Sequence, residues 1–281
     1  LRVWVNTYLG QTWADEAAGD GLDDYAISNH REDYGDKIPE GVVVLTAGVD
    51  VQSDRLECEI VGWGRDEESW SVDFSIFYGD PNSSEVWAEL DKHLSETWLR
   101  EDDVRLSVKG SCVDSGGHHT QSVYRFCKPR LGRRIFAIKG LSQAGRPSTN
   151  NNLKCKLRSI GVDTAKEIIY SRLKIKEVGA GYCHFPQHYD DEYFKQLTAE
   201  KVVKKYHKGF HRREWIKVRE RNEALDCRVY ALAALNIMGI SVNMLAQRSA
   251  KSGVEDFDID KAKPKRRQRK RKSANFVQGW R

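Results

Sequence analysis

Residues 42–50 of this 281-residue chain read Val-Val-Val-Leu-Thr-Ala-Gly-Val-Asp, an apolar run that ends in an acid. A near-continuous run of this kind is typical of a central strand covered on both faces. Two further segments with strand composition follow at short intervals, LECEIVGWG at 56–64 and SWSVDFSIFY at 69–78. Because only short polar turns separate the three segments, the sequence predicts an antiparallel meander.

Downstream of the meander, helical and strand patterns alternate. A helix is predicted after the N-cap candidate Ser83. Further elements are predicted from their apolar spacing: strands at 106–114 and 134–139, and helices at 120–128, 164–173 and 221–240. The last helix is apolar almost all round, which indicates that it is buried. The order of elements predicts an α/β domain with a mixed central sheet and flanking helices.

Charge divides the chain into a body and a tail. The formal net charge is +5, but residues 251–281 hold 11 basic and 4 acidic residues, which leaves 35 basic and 37 acidic residues in the rest. We therefore expect a polar connecting arm over residues 1–40, a globular domain over 41–249 and a flexible basic tail over 250–281. The absence of an initiating methionine at Leu1 suggests that the chain is part of a longer protein. No apolar stretch approaches the ~20 residues of a membrane helix, so no membrane partner is predicted.

Three aspartates occupy positions where a charged residue is unexpected. Asp50 and Asp114 end apolar strands, and Asp226 lies inside the most apolar helix, three residues after Glu223. Carboxylates gathered in a dry site repel one another unless cations neutralise them, and Mg²⁺ or Mn²⁺ prefers such oxygen ligands. The pattern is compatible with a metal site. It is also compatible with acids that only form turns or cap helices.

Eight segments taken together resemble a known family. They are LTAGVD at 45–50, GWG at 62–64 followed by EESW at 67–70, VDSGG at 113–117, IKG at 138–140, DTAKEIIYSRL at 163–173, HFP at 184–186, QLTAE at 196–200 and RNEALDCRVYALAAL at 221–235. In this order they resemble the nuclease half of the lambda-type large terminase subunit, part of the DNA-packaging motor of tailed phages. The resemblance covers roughly residues 40–240.

The resemblance implies an RNase H-like fold and an endonuclease that cuts concatemeric phage DNA with two Mg²⁺ or Mn²⁺ ions. It implies that Asp50, Asp114 and Asp226 are catalytic and hold the metals, and that Glu223 is a further ligand. It also implies three partners, double-stranded DNA, the small terminase subunit and the procapsid portal, and action in the host bacterial cytoplasm. The family's ATPase domain precedes this region. The chain contains no GxxxxGK[ST] phosphate loop, so no ATPase activity is expected from it.

Several basic and aromatic residues are candidates for binding partners. Those for DNA contact, which could equally be solvated loop residues, are His118, Lys139, Arg146, Arg212 and Arg213. Residues 261–272 of the tail contain 9 basic residues in 12, which favours binding to nucleic acid without sequence preference. By resemblance, Phe276 and Trp280 in the tail are candidates for portal docking.

Two alternative functions remain open at the level of sequence. One is a DNA-binding and portal-docking module in which the acids are only structural. The other is a resolvase or transposase of the same fold, which would use a similar set of acids. The response of the protein to divalent ions separates the first alternative from a nuclease, because a module without a metal site would not be stabilised by them.

Overall fold

The computed structural model describes residues 22–141, 148–152, 157–207 and 210–252. The strands are β1 Arg31–Glu32, β2 Val44–Val51, β3 Arg55–Trp63, β4 Ser69–Tyr78, β5 Thr97–Leu99, β6 Arg105–Asp114, β7 Ile135–Leu141, β8 Ser148–Asn152, β9 Leu157–Gly161, β10 Cys183–Pro186, β11 Glu200–His207 and β12 Phe210–Lys217. The helices are α1 Asp24–Ser28, α2 Ser84–His93, α3 Thr120–Cys127, α4 Val162–Leu173, α5 Asp191–Leu197, α6 Glu223–Met238 and α7 Val242–Ser252. Two short 3-10 helices cover Arg65–Glu67 and Lys128–Arg133.

A mixed sheet forms the centre of the described structure, in the strand order β1-β10-β4-β3-β2-β6-β7-β9-β8, with β5 paired to β6 outside this order. Strands β2, β3 and β4 are antiparallel neighbours, which confirms the predicted meander. Strands β2, β6, β7 and β9 run parallel to one another. Strands β11 and β12 form a separate hairpin. The predicted α/β class with a mixed sheet and flanking helices is confirmed.

Helices cover both faces of the sheet, so the sheet is buried between two apolar layers. One layer contains side chains of α2 and α3 with Leu45, Ala47 and Val49 of β2. The other contains side chains of α4, α5 and α6 with Cys112 of β6 and Ile138 of β7. This double cover explains why the run that opens β2 is apolar at nearly every position.

Helix α6 approaches the sheet closely at one glycine. A Cβ atom at Gly48 would lie 1.9 Å from the carbonyl oxygen of Cys227 and 2.6 Å from the nitrogen of Ala231. The hydroxyl of Thr46 on the same strand donates a hydrogen bond of 2.9 Å to the carbonyl oxygen of Ala231. The helix ends at Gly239, which adopts a left-handed conformation with φ of 62°. The bare backbone at Gly48 therefore sets the position of α6 over β2.

The structured region begins before residue 41, where the change in composition predicts the start of the domain. Ile27 of α1 and Ile38 are buried, and the short strand β1 pairs in parallel with β10 at the edge of the sheet. A five-residue helix and a two-residue strand have too few positions to produce a periodic pattern, so composition alone does not reveal them.

Among the described residues, no single helix is long and apolar enough to cross a membrane. The pair α6 and α7, bent by 81° at the junction, passes that test of length and composition only when the two helices are taken together.

We expect Gly48→Ala to lower the free energy of unfolding by about 1–3 kcal/mol or more, because the added methyl group collides with the backbone of α6 rather than with a movable side chain. The change is measured by urea unfolding followed by circular dichroism. Gly132→Ala is the control, since a Cβ atom at Gly132 meets nothing within 4 Å. Equal stability of the Gly48→Ala variant and the wild type would contradict the close approach of α6.

Candidate active site

Strand register brings two of the three predicted aspartates together. Strands β2 and β6 are parallel, and the last register pair between them joins Val49 to Val113. Asp50 and Asp114 are the next residues on the two strands. Side chains alternate along a strand, so Asp50 shares a face with Gly48, which contacts α6, and Asp114 shares that face with Cys112. Both carboxylates lie at the carboxyl edge of the parallel strands, on the side covered by α6.

Asp226 reaches the same edge from the first turn of α6. The helix begins at Glu223, and the contact of Cys227 with Gly48 fixes this end of the helix above β2. The N-terminus of a helix carries a partial positive charge and favours a nearby carboxylate. The structure thus brings all three predicted catalytic aspartates to one side of one sheet edge.

Burial dominates the electrostatics of these aspartates. It raises the pKa of Asp50 to about 8, and the negative charge of Asp226 adds to the rise. A hydrogen bond of 2.5 Å from Nε2 of Gln52 opposes it. Burial also raises the pKa of Asp226 to about 6 and raises the pKa of Asp114, which the backbone N–H of Gly116 partly offsets. The folded protein therefore disfavours full ionisation of the three aspartates, and Asp50 keeps its proton up to about pH 8 when no cation is bound.

No lysine or arginine within the described ranges forms an ion pair with Asp50 or Asp114. Asp50 is only 5% exposed, and a buried carboxylate without a cationic partner is costly. Among the same residues, no group of three or more histidine, cysteine, aspartate or glutamate side chains is arranged so that it could hold a metal ion as it stands. The donor set nevertheless suits a hard divalent cation, since it consists of carboxyl oxygens whose ionised form a bound cation would favour. We conclude that these residues fit such an ion chemically.

Glu223 is in a different environment. Nη2 of Arg55 donates a 2.9 Å hydrogen bond to its Oε1, and Nε of Arg221 lies 3.4 Å from its Oε2. The same two arginines pair with Glu57, at 2.6 Å from Arg55 and 2.9 Å from Arg221. Because both glutamates have cationic partners, Glu223 belongs to a compensated network beside the aspartates. Its predicted role as a further ligand stays a prediction.

Two buried glutamates of β3 were not anticipated as functional or structural residues. The alternation in LECEIVGWG is typical of a strand with one solvated face, but Glu57 and Glu59 are both 0% exposed. Glu59 accepts hydrogen bonds from Ser71 and Tyr193 and lies 3.4 Å from Nη1 of the buried Arg228. The only sequence signal for this pairing was an arginine inside the apolar helix.

The structure describes three of the five candidate residues for DNA contact with their side chains. His118 is exposed in the turn after Asp114. Lys139 is exposed near the end of β7, where its positive charge opposes the rise that burial causes in the pKa of Asp114. Arg213 is exposed on β12 and pairs with Glu167 at 3.1 Å. Arg146 and the side chain of Arg212 lie outside the described part of the chain, as do the predicted docking residues Phe276 and Trp280.

Most of the sequence matches a known protein family. Residues 1–248 match the family described as terminase large subunit gpA, endonuclease domain. This chain belongs to that family. The match begins at residue 1, so it also includes the segment that composition predicts to be a connecting arm.

Two curated relatives carry the name terminase, large subunit. The protein from Escherichia phage lambda is 37% identical over 248 residues, which cover 84% of this chain and 38% of the relative. The protein from Enterobacteria phage P21 is 36% identical over 252 residues, which cover 84% of this chain and 39% of the relative. The chain therefore spans well under half the length of these relatives. No solved structure matches it.

The raised pKa of Asp50 predicts how pH affects stability in the absence of metal. The folded protein retains the proton of Asp50 up to about pH 8, whereas an unfolded aspartate loses it near ~3.9, so this group lowers stability as pH rises through that window. We expect Asp50→Asn to unfold at a higher temperature than the wild type at about pH 8.5, and at a similar temperature near about pH 4. Thermal unfolding in EDTA measures the difference.

Asp91→Asn is the control of opposite sign. Hydrogen bonds from Arg130 hold the pKa of Asp91 below its usual range, so its contribution is present at neutral pH and is lost as pH falls. The Asp91→Asn variant should therefore unfold at a lower temperature than the wild type at the higher pH. If Asp50→Asn also unfolds at a lower temperature than the wild type at about pH 8.5, then a partner in the folded protein stabilises the charged form of Asp50.

Proposed function

We propose that this domain is an endonuclease that hydrolyses phosphodiester bonds of double-stranded DNA with two Mg²⁺ or Mn²⁺ ions. The observation that carries the proposal is the placement of Asp50, Asp114 and Asp226 at one sheet edge, where burial raises the pKa of each and the negative charge of Asp226 adds to the rise at Asp50. Membership of a terminase endonuclease family supports the same chemistry. The strand order β4-β3-β2-β6-β7, in which only β3 is antiparallel to its neighbours, is that expected of an RNase H-like domain.

Each residue of the proposed site has a defined task. Asp50, Asp114 and Asp226 would hold the ions, which when bound activate a water molecule and stabilise the leaving oxygen. Gln52 orients the carboxylate of Asp50 through its 2.5 Å hydrogen bond. Arg55 fixes Glu223 beside the aspartates, where it would be an accessory ligand or a positioning group.

DNA would approach the same edge of the sheet. His118 and Lys139 are exposed there, next to Asp114, and either side chain is suited to a phosphate oxygen. Arg146, Arg212 and Arg213 are the further candidates for contact with the DNA backbone. The body of the chain has a balance of −2, so most of the attraction to DNA would come from the basic residues of the tail.

The biological setting we propose is the packaging of a phage genome. The curated relatives are terminase large subunits of phages, which supports the cutting of concatemeric viral DNA in the cytoplasm of a bacterial host. The small terminase subunit and the procapsid portal are the protein partners we propose. Phe276 and Trp280 are the candidate residues for docking on the portal.

We expect Asp50→Asn and Asp226→Asn each to lower Mn²⁺-dependent nicking of a supercoiled plasmid by more than about 100-fold, beyond the 10–100-fold loss typical of groups that only support a ligand. Affinity for DNA should stay near that of the wild type, because neither carboxylate is proposed to bind phosphate directly. Gel electrophoresis of the plasmid and fluorescence anisotropy of a labelled duplex measure the two effects.

Asp103→Asn is the matched control for these variants. Asp103 is exposed and precedes β6, at the opposite end of that strand from Asp114. Its φ of 64° is one that asparagine also tolerates. Nicking that survives Asp50→Asn or Asp226→Asn would remove the proposed site, and a wild type that gains no thermal stability from Mn²⁺ would favour a module with purely structural acids.

Ending the chain after Ser252, where α7 ends, should reduce non-specific DNA binding while nicking persists. Residues 261–272 contain 9 basic residues, and the slope of log affinity against log salt concentration becomes shallower by about 0.9 for every phosphate that the protein no longer neutralises. Anisotropy titrations at several salt concentrations give this slope for the full and shortened chains. Unchanged slopes would contradict a role for the tail in binding DNA.

A further inference from the structure

The segments DTAKEIIYSRL and QLTAE, which have no role in the site described so far, meet around a buried lysine. Lys166 of α4 is 8% exposed, and Glu200, the first residue of β11, is 5% exposed. Nζ of Lys166 donates to both carboxylate oxygens of Glu200, at 2.7 and 2.8 Å. The hydroxyl of Tyr170, one turn further along α4, donates a 2.6 Å hydrogen bond to the carbonyl oxygen of Glu200. Buried charges of this kind are rare, and they need a close partner.

Asn222 connects this ion pair to Asp226. Its Nδ2 donates to Oε1 of Glu200 at 2.9 Å and to Oδ2 of Asp226 at 2.9 Å. Nζ of Lys166 lies 3.9 Å from Oδ1, the other oxygen of Asp226. Asn222 occupies the N-cap position of α6, yet its side chain makes no capping hydrogen bond. Its amide group is directed at the two carboxylates instead.

We infer that Lys166, Glu200 and Asn222 are positioning residues that fix the orientation of the Asp226 carboxylate. The inference rests on the proposed function, in which Asp226 holds a divalent ion. Each oxygen of Asp226 faces one member of the group, the amide of Asn222 on one side and the ammonium of Lys166 on the other. Asp226 lies on the first turn of a helix and has a rotatable side chain, so hydrogen bonds from rigid, buried neighbours restrict it to one direction.

The network also joins three elements that the chain order keeps apart. Lys166 lies on α4, Glu200 on β11, and Asn222 and Asp226 at the start of α6. A purely structural ion pair would stabilise this junction without changing the affinity of the protein for the metal ion. A positioning network would in addition set the affinity for the ion, since loss of a group that holds a metal ligand typically weakens metal binding by about 10–100-fold.

Two variants of the full chain separate these roles. Asn222→Ala breaks the link to Asp226, leaves the Lys166–Glu200 pair in place and removes no capping hydrogen bond. The double variant Lys166→Met/Glu200→Leu removes both charges together, which avoids a lone buried charge and commonly preserves the fold. Lys166→Arg keeps a cation beside Glu200 with a different hydrogen-bond geometry, and therefore tests whether a positive charge at this position is sufficient.

The measurement is the Mn²⁺ concentration that gives half of the maximal rise in the thermal unfolding temperature, alongside kcat and KM for nicking. We expect Asn222→Ala and the double variant to need about 10–100-fold more Mn²⁺, with kcat lowered at fixed Mn²⁺ and KM for DNA unchanged. Lys166→Arg should stay near the wild type. Arg130→Met is the matched control, because it removes a two-bond pair with Asp91, at 2.8 Å each, on the opposite face of the sheet. It should lower the unfolding temperature without changing the Mn²⁺ midpoint.

An unchanged Mn²⁺ midpoint in folded Asn222→Ala and in the double variant would overturn the inference and make the network a structural junction only. That result is distinguishable from failure of the proposed function. If the proposed function fails, the wild type itself shows no Mn²⁺-dependent stabilisation and Asp226→Asn cuts DNA as the wild type does.

Discussion

The close contact between helix α6 and strand β2 at Gly48 is the constraint on which the rest of the structure depends. No side chain fits there, because a Cβ atom would meet the carbonyl oxygen of Cys227 at 1.9 Å. The contact is secured on the same strand by Thr46, which donates to Ala231 of the helix and accepts from Nε1 of Trp63 at 2.7 Å. A buried helix held so close to the sheet brings its first turn, and with it Asp226, to the strand edge that carries Asp50.

The compensation of buried charge divides the acids of this domain into two groups. Glu57, Glu59, Glu200 and Glu223 each lie beside an arginine or lysine, and these pairs join β3 to α6 and α4 to β11. Among the described residues, neither Asp50 nor Asp114 forms an ion pair with a lysine or arginine, although the charge of Lys139 acts on Asp114. The ion pairs of the four glutamates stabilise the fold around the sheet edge that carries Asp50 and Asp114. In the second group burial raises the pKa of both carboxyl groups, and a bound divalent cation would favour their ionised form.

The elements with a long periodic pattern were predictable from the sequence. The three-strand meander and the buried helix place apolar residues regularly over eight or more positions, and the burial of those apolar residues follows from that pattern, whereas the burial of Glu57 and Glu59 does not. The edge strands β1 and β10 have two and four residues, which is too short for such a signal. Their pairing depends on a partner about 150 residues away, since Arg31 is in register with Phe185.

The sequence by itself determined the central strands, the apolar helix and the three aspartates, because each is encoded by the contrast between an acid and its immediate apolar neighbours. Only the tertiary structure decided which buried acids are neutralised. Arg55 reaches Glu223 across 168 positions and Lys166 reaches Glu200 across 34. An ion pair is set by distance in space, and local patterns carry no record of which distant cation comes within hydrogen-bond reach. Asp50 is recognisable in the sequence because an acid follows an apolar run. Lys166 and Asn222, which contact Asp226, are recognisable only in the folded structure.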